Sequence, residues 1–139
     1  MTDTSANAQL ARDYFTAFAA RDEAWWKEHI AEDFVRHDPG LPFVVRGHDG
    51  MRQLGEFLHG NFSRIELPIL DSVAESDKVL IHLRMRAIHS GDGLGVPATH
   101  KPVDFVVMDL FRFEDGKLKE HWALMDNLGM LKQIGAVDA

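Results

Sequence analysis

The stretch Val103-Asp104-Phe105-Val106-Val107-Met108-Asp109-Leu110-Phe111-Arg112-Phe113-Glu114-Asp115-Gly116-Lys117-Leu118-Lys119-Glu120-His121-Trp122-Ala123-Leu124-Met125 decides the fold. A long apolar run leads to Phe113, Asp-Gly follows, and Leu118–Met125 returns, a strong short-range signal of a β-hairpin. On the outgoing strand Val103, Phe105, Val107, Asp109, Phe111 and Phe113 share one face. Asp104, Val106, Met108, Leu110 and Arg112 share the other. Both faces are apolar through the middle, so both must be covered. Helices can cover one, and we expect a second copy of the chain to cover the other.

Upstream of the hairpin, Ile65–Val73 and Val79–Ser90 read as further strands, and Gly91–Thr99, with three glycines and a proline, as a loop. The first third of the chain is helical. Leu10, Tyr14, Phe15 and Phe18 fall at helical spacing behind Thr4 and Ser5 as caps. Asp22 starts a second helix that carries Trp25, Trp26, His29 and Ile30. Phe34–His37 is extended and runs into the turn Asp38-Pro39-Gly40. Gly47–Phe62 forms a third helix, with Met51, Leu54, Phe57 and Leu58 on one side, and Asn127–Ile134 forms a short last one. Helices first and a meander of strands afterwards is the α+β pattern, an antiparallel sheet with helices gathered on one face.

The chain has 139 residues, which makes one domain over 1–139. Hydrophobic residues are 45% and charged residues 27%, a globular balance. There is no cysteine, hence no disulfide and no thiolate nucleophile. The net charge of -7 comes from 22 acids against 15 scattered bases, which argues against a nucleic-acid partner. No apolar run approaches the length of a membrane span and no signal peptide is legible, so no membrane partner and a cytoplasmic location are expected.

Asp109 stands alone among five apolar residues on its strand face, where a carboxylate must find a partner or stay protonated. Either state suits acid/base work; the plainer alternative is a buried structural acid bonded to a neighbouring hydroxyl or arginine. Counting back from the turn puts Asp109 opposite Trp122, give or take one residue, with His121 a cross-strand neighbour if the pleat puts both on one face. A histidine beside a carboxylate is a usable acid/base pair, or it fills a core position. His37 and Asp38 precede a Pro-Gly turn and fit turn chemistry or catalysis. Tyr14, the only tyrosine, either donates a hydrogen bond to a substrate oxygen or buries its ring. The three tryptophans fit core or dimer surface. Eight histidines occur without HExxH or any close ligand pair, so no metal is expected. GxSxG, GxGxxG and phosphate-binding loops are absent, which argues against triad hydrolases and nucleotide enzymes.

The segments Tyr14-Phe15 with Arg21-Asp22, Phe34-Val35-Arg36-His37-Asp38-Pro39, Asp109 to Lys117, Glu120-His121-Trp122 and Leu128 to Gly135 resemble the SnoaL-like polyketide cyclases. That family lies within the superfamily of ketosteroid isomerases and nuclear transport factor 2. The resemblance implies a cone-shaped α+β barrel, a curved sheet wrapped over the N-terminal helices around one deep apolar pocket. It also implies a homodimer through the outer sheet face and cofactor-independent chemistry next to a carbonyl. An apolar small molecule is the expected substrate or ligand. Phe18, Phe105, Val107, Phe111, Ala123 and Met125 are the expected pocket lining.

The family's acidic catalyst falls just after the His-Trp pair, where this chain has Ala123. Asp126 lies nearby but alternates onto the Trp122 face. The ketosteroid isomerases place a tyrosine in the first helix, an aspartate before the proline and a protonated aspartate on the long strand, positions held here by Tyr14, Asp38 and Asp109. The resemblance therefore implies Asp38 as base, Tyr14 and Asp109 as holders of the enolate oxygen, His121 as proton shuttle and His37 as support for the base. Two alternatives stand beside this reading. One is a non-catalytic ligand-binding dimer. The other is an epoxide hydrolase using an Asp-Arg-Asp set, for which Arg84 and Arg86 are the arginine candidates, taken to point to opposite faces.

Overall fold

The computed structural model describes residues 3–138. Chain order is α1 (Thr4–Ala20), α2 (Glu23–His29), β1 (Ile30–His37), β2 (Val45–Arg46), α3 (Gly47–Asn61), β3 (Phe62–Glu66), β4 (Ile69–Glu75), β5 (Lys78–His89), β6 (Pro102–Glu114), β7 (Lys117–Met125) and α4 (Asn127–Gln133). The expected α+β class and N-terminal helices are present, and the strands form one strongly curled sheet in the order β2-β1-β7-β6-β5-β3. Most pairings are antiparallel, but β1 runs parallel to β7. Among the described residues no helix is long and apolar enough to cross a membrane.

Local chemistry sets the element ends. Asp3, not Thr4 or Ser5, caps α1 by accepting from the Ala6 amide at 3.0 Å. Asp22 caps α2 as expected, and Asp126 caps α4 by accepting from the Gly129 amide at 2.9 Å. The single strand expected over Ile65–Val73 is two, because the chain breaks at Leu67-Pro68, where proline has no amide for the ladder. Both pieces pair with β5. At the hairpin, Asp115 and Gly116 both have positive φ, 52° and 75°, the backbone of a tight two-residue turn whose twist matches its strands.

The helices fill the concave face of the sheet. Inward residues of β5 and β6, such as Ile81, Leu83, Val107 and Phe111, pack with Ala11, Tyr14, Phe15 and Phe18 of α1 and Met51 and Leu54 of α3. The convex face carries a second apolar surface. Leu80, Leu110 and Trp122 form one cross-strand row, and Met108 pairs with Leu124 in the next. Leu80, Met108 and Leu124 are exposed.

One irregularity in the hairpin decides what faces inward. Glu114 pairs with Lys117 and Phe113 with Leu118, but Arg112 pairs with Glu120, so β7 carries an extra residue at Lys119. Without that bulge Asp109 would face Trp122. With it, Asp109 pairs with Ala123 and Phe111 with His121. Because side chains alternate, the one-residue slip turns both Leu118 and His121 into the core and leaves Trp122 on the convex side. The Lys119 ammonium is fixed outside by Asp33 of β1 at 2.7 Å. Deleting Lys119 removes the bulge but keeps the faces, because Glu120 then follows Leu118 in plain alternation, with His121 inward and Trp122 outside. Urea unfolding is expected to show a loss below about 3 kcal/mol, the ordinary range for a change that spares the core; a larger loss would mean that Lys119 is not the extra residue.

Candidate active site

β1 enters the core edge-on to β7 and delivers the group that dominates the interior. Strand alternation puts Phe34 and Arg36 inward and His37 outward. The Arg36 side chain is 5% exposed, a guanidinium among aromatic rings, held there by partners on Nη1 and Nη2, while Nε has none among the described residues. Nη2 donates to Asp38 Oδ2 at 2.8 Å and Nη1 donates to the Tyr14 hydroxyl at 3.3 Å. Asp38, whose side chain is 1% exposed, also accepts from the Gly40 amide at 3.0 Å through Oδ1. The Asp38-Pro39-Gly40 turn is thus both turn and counter-ion. Burial works against the Arg36 charge, but Tyr14, Asp109 and Asp38 around it outweigh that and hold the proton more firmly than usual.

Tyr14 projects from α1 under β6 and β7. Its ring meets Phe111 edge-on at 5.2 Å and His121 at 5.3 Å. The hydroxyl accepts from Arg36 and points its own proton at the Met51 thioether at 4.0 Å, a weak acceptor that a ligand oxygen can replace. Burial pushes the Tyr14 pKa up to about 12 against the lowering effect of Arg36, so the phenol keeps its proton and remains a donor.

The bulge brings Asp109 and His121 together on one face, which the plain hairpin count does not. His121 Nε2 lies 3.3 Å from Asp109 Oδ2, with side chains 0% and 3% exposed. Among the described residues His121 Nε2 and Nδ1 make no hydrogen bond and Asp109 Oδ1 has no partner. The imidazole stacks on Phe111 at 4.2 Å. Burial lowers the His121 pKa below the ordinary histidine value; Asp109 opposes this and Arg36 adds to it, so the ring is neutral near pH 7. Unpaired buried polar atoms cost energy, and in an enclosed site they mark a place where a ligand completes the set.

Tyr14, Arg36 and Asp109 converge on one apolar cavity of about 30 Å³. Of the expected lining, Phe18, Val107 and Met125 face it. Phe105 does not; it lines a neighbouring chamber of about 160 Å³ toward α4. Phe111 and Ala123 belong to the packed wall behind, Phe111 under Tyr14 and Ala123 across from Asp109. Asp38 is not among the lining residues either, since Arg36 stands in front of it with both Asp38 oxygens engaged. His37 is on the convex side, bonded to Glu120 at 2.7 Å and stacked on Trp122, away from the base it was expected to support. Arg84 and Arg86 are two residues apart on one strand and so share a face. Both are outside on Asp104, at 2.6 and 3.3 Å. Arg36 is the residue missed. Its signal was its place two residues after Phe34, on the strand's inward face.

This is the geometry of a small-molecule pocket closed by a curled α+β sheet. The chain belongs to the family described as SnoaL-like polyketide cyclase, whose model matches residues 8–134. Among solved structures it is similar to TsrD from Streptomyces laurentii, at 28% identity and TM-score 0.85 over 99% of this chain and 100% of that one. It is also similar to wild-type IdmH from Streptomyces antibioticus, a candidate polyketide cyclase, at 28% identity and TM-score 0.82 over 93% and 98%. AclR from Streptomyces galilaeus, a candidate hydroxylase, matches at 25% identity and TM-score 0.84 over 99% and 85%. No curated protein matches.

The neutral His121 carries a pH signature. Its folded pKa lies below the ordinary 6.5, so the unfolded chain binds the extra proton first and stability falls as pH drops below about 6.5. The lowered carboxylates Asp33, Asp104 and Glu120 act only further down, below about pH 4.5. Urea unfolding at pH 7.5 and 5.5 is expected to show a loss in the wild type that is absent in His121→Gln. Equal losses would remove His121 as the cause.

Proposed function

We propose that the protein is a cofactor-independent enzyme that moves a proton next to a carbonyl of an apolar substrate, in ring closure or double-bond shift. The observation that carries this reading is the convergence of Tyr14, Arg36 and the unpartnered Asp109 Oδ1 on one apolar cavity. The substrate carbonyl oxygen replaces Met51 as acceptor of the Tyr14 proton and lies beside the Arg36 guanidinium. Two donors then face the oxygen that becomes an enolate, among apolar side chains where each counts most. Asp109 takes the α-proton on Oδ1, and His121 steadies the carboxyl from the Oδ2 side. The enolate carbon then attacks a second carbonyl, whose oxygen receives the proton back from Asp109. In the isomerase version a remote carbon receives it.

In this proposal Asp109 rather than Asp38 acts as the base, because both Asp38 oxygens are held by Arg36 and the Gly40 amide. Ala123, at the position of the family's acid, is the direct cross-strand neighbour of Asp109, so a carboxylate reaches the same space from the adjacent strand.

Deuterium exchange at the activated carbon of 2-tetralone, a bicyclic enolisable ketone, tests the assignment. The wild type is expected to exceed buffer, with Asp109→Asn slower by about 10²–10⁴-fold and Tyr14→Phe and Arg36→Met also impaired. Undiminished exchange in Asp109→Asn overturns the base, and no exchange in the wild type favours the binding-only alternative.

A second reading has one observation in its favour. Arg36 is bonded to Asp38 and feels the charge of Asp109, an Asp-Arg-Asp set of the kind that activates water on epoxides. Incorporation of ¹⁸O from labelled water into a diol product distinguishes it.

We also propose that the protein works as a homodimer joined through the convex rows of Leu80, Leu110 and Trp122 and of Met108 and Leu124. Sedimentation equilibrium is expected to give twice 15.7 kDa for the wild type and the single mass for Leu124→Lys. A monomeric wild type contradicts it.

A further inference from the structure

The inner cavity is too small for the substrate that its chemistry implies. About 30 Å³ of free space holds two water-sized groups, the oxygen end of a ligand but not a ring. The chamber of about 160 Å³ beside it is several times larger and mainly apolar, bounded by Leu94 of the 91–99 loop and by Met130 and Leu131 of α4. The two chambers share Leu58, Met85 and Met125 as common wall. Two of these are methionines, unbranched thioethers that change rotamer at little cost, whereas the other apolar side chains of the inner wall are rings or branched.

We propose that Met85 and Met125 form a movable partition, and that it sets the ligand class: a molecule with one oxygen-bearing end at Tyr14 and Arg36 and an apolar body of fused rings lying across the partition into the outer chamber. This rests on the reading above for the polar end, while the placement of the body stands on the shared wall. Binding swings the two thioethers aside and joins the chambers. Specificity for body size then resides at Met85 and Met125 rather than at the groups that handle the proton.

Methyl-¹³C-methionine spectra during titration with 2-naphthol read this directly, because the methionines sample each region. Met51 reports the inner end, Met85 and Met125 the partition, Met130 the outer chamber and Met108 the convex face. The first four methyls are expected to shift with one common dissociation constant while Met108 stays fixed. Shifts confined to Met51, confined to Met130, or centred on Met108 each overturn the proposal, as does a spectrum that naphthol leaves unchanged. Met125→Phe puts a stiff ring in the partition and is expected to weaken naphthol at least tenfold with the Met108 methyl unaltered; unchanged affinity also overturns it. The methyl pattern without Asp109-dependent exchange of 2-tetralone means that the partition stands and the proton-transfer reading fails. Asp109-dependent exchange with Met85 and Met125 silent means the reverse.

Discussion

The ion pair between Arg36 and Asp38 is the constraint on which the interior depends. A guanidinium in an apolar core is strongly unfavourable alone, and losing one partner of such a pair costs about 3–5 kcal/mol. The chain meets that cost locally. Asp38 follows Arg36 by two residues, and the Pro39-Gly40 turn bends so that the Gly40 amide takes the second carboxylate oxygen. One short segment thus supplies the charge, its counter-ion and the turn that locks both. What remains of Arg36 is directed at Tyr14 and the cavity, where fixed positive charge favours a developing oxyanion.

The second constraint is the extra residue at Lys119. It changes which residues of β7 face inward, and it also aligns Arg36 with His121 across the parallel β1–β7 pairing. Asp109, His121, Arg36 and Tyr14 come from β6, β7, β1 and α1, and only the bulged register brings all four to one concave face. The energetic cost appears as unpaired atoms on Asp109 and His121, the pattern expected where packing is arranged for a ligand rather than for stability alone.

Much of this was legible in the sequence. Asp115-Gly116 between apolar runs gave the hairpin, and the isolation of Asp109 on its strand face marked it as a buried acid. The bulge was not legible, because Lys119 and Glu120 carry no glycine or proline to announce it, so a plain count paired Asp109 with Trp122. His37 and Asp38 are adjacent in sequence but point to opposite sides. The same alternation groups Phe34, Arg36 and Asp38, but arginine is usually a surface residue and its burial depends on a partner that only the fold supplies. Arg84 and Arg86 fail by the same rule: two residues apart, they share the convex face and the same Asp104.

The most direct test of Arg36 and Tyr14 as an oxyanion site is the ultraviolet spectrum of 2-naphthol bound at pH 7. Free naphthols, like other phenols, ionise near pH 10 or a little below. With Arg36 and Tyr14 holding the ligand oxygen and Asp109 taking its proton, the bound ligand should absorb as naphtholate, and Arg36→Met should return it to the neutral spectrum. A neutral spectrum in the wild type, or a naphtholate spectrum indifferent to Arg36→Met, would contradict it.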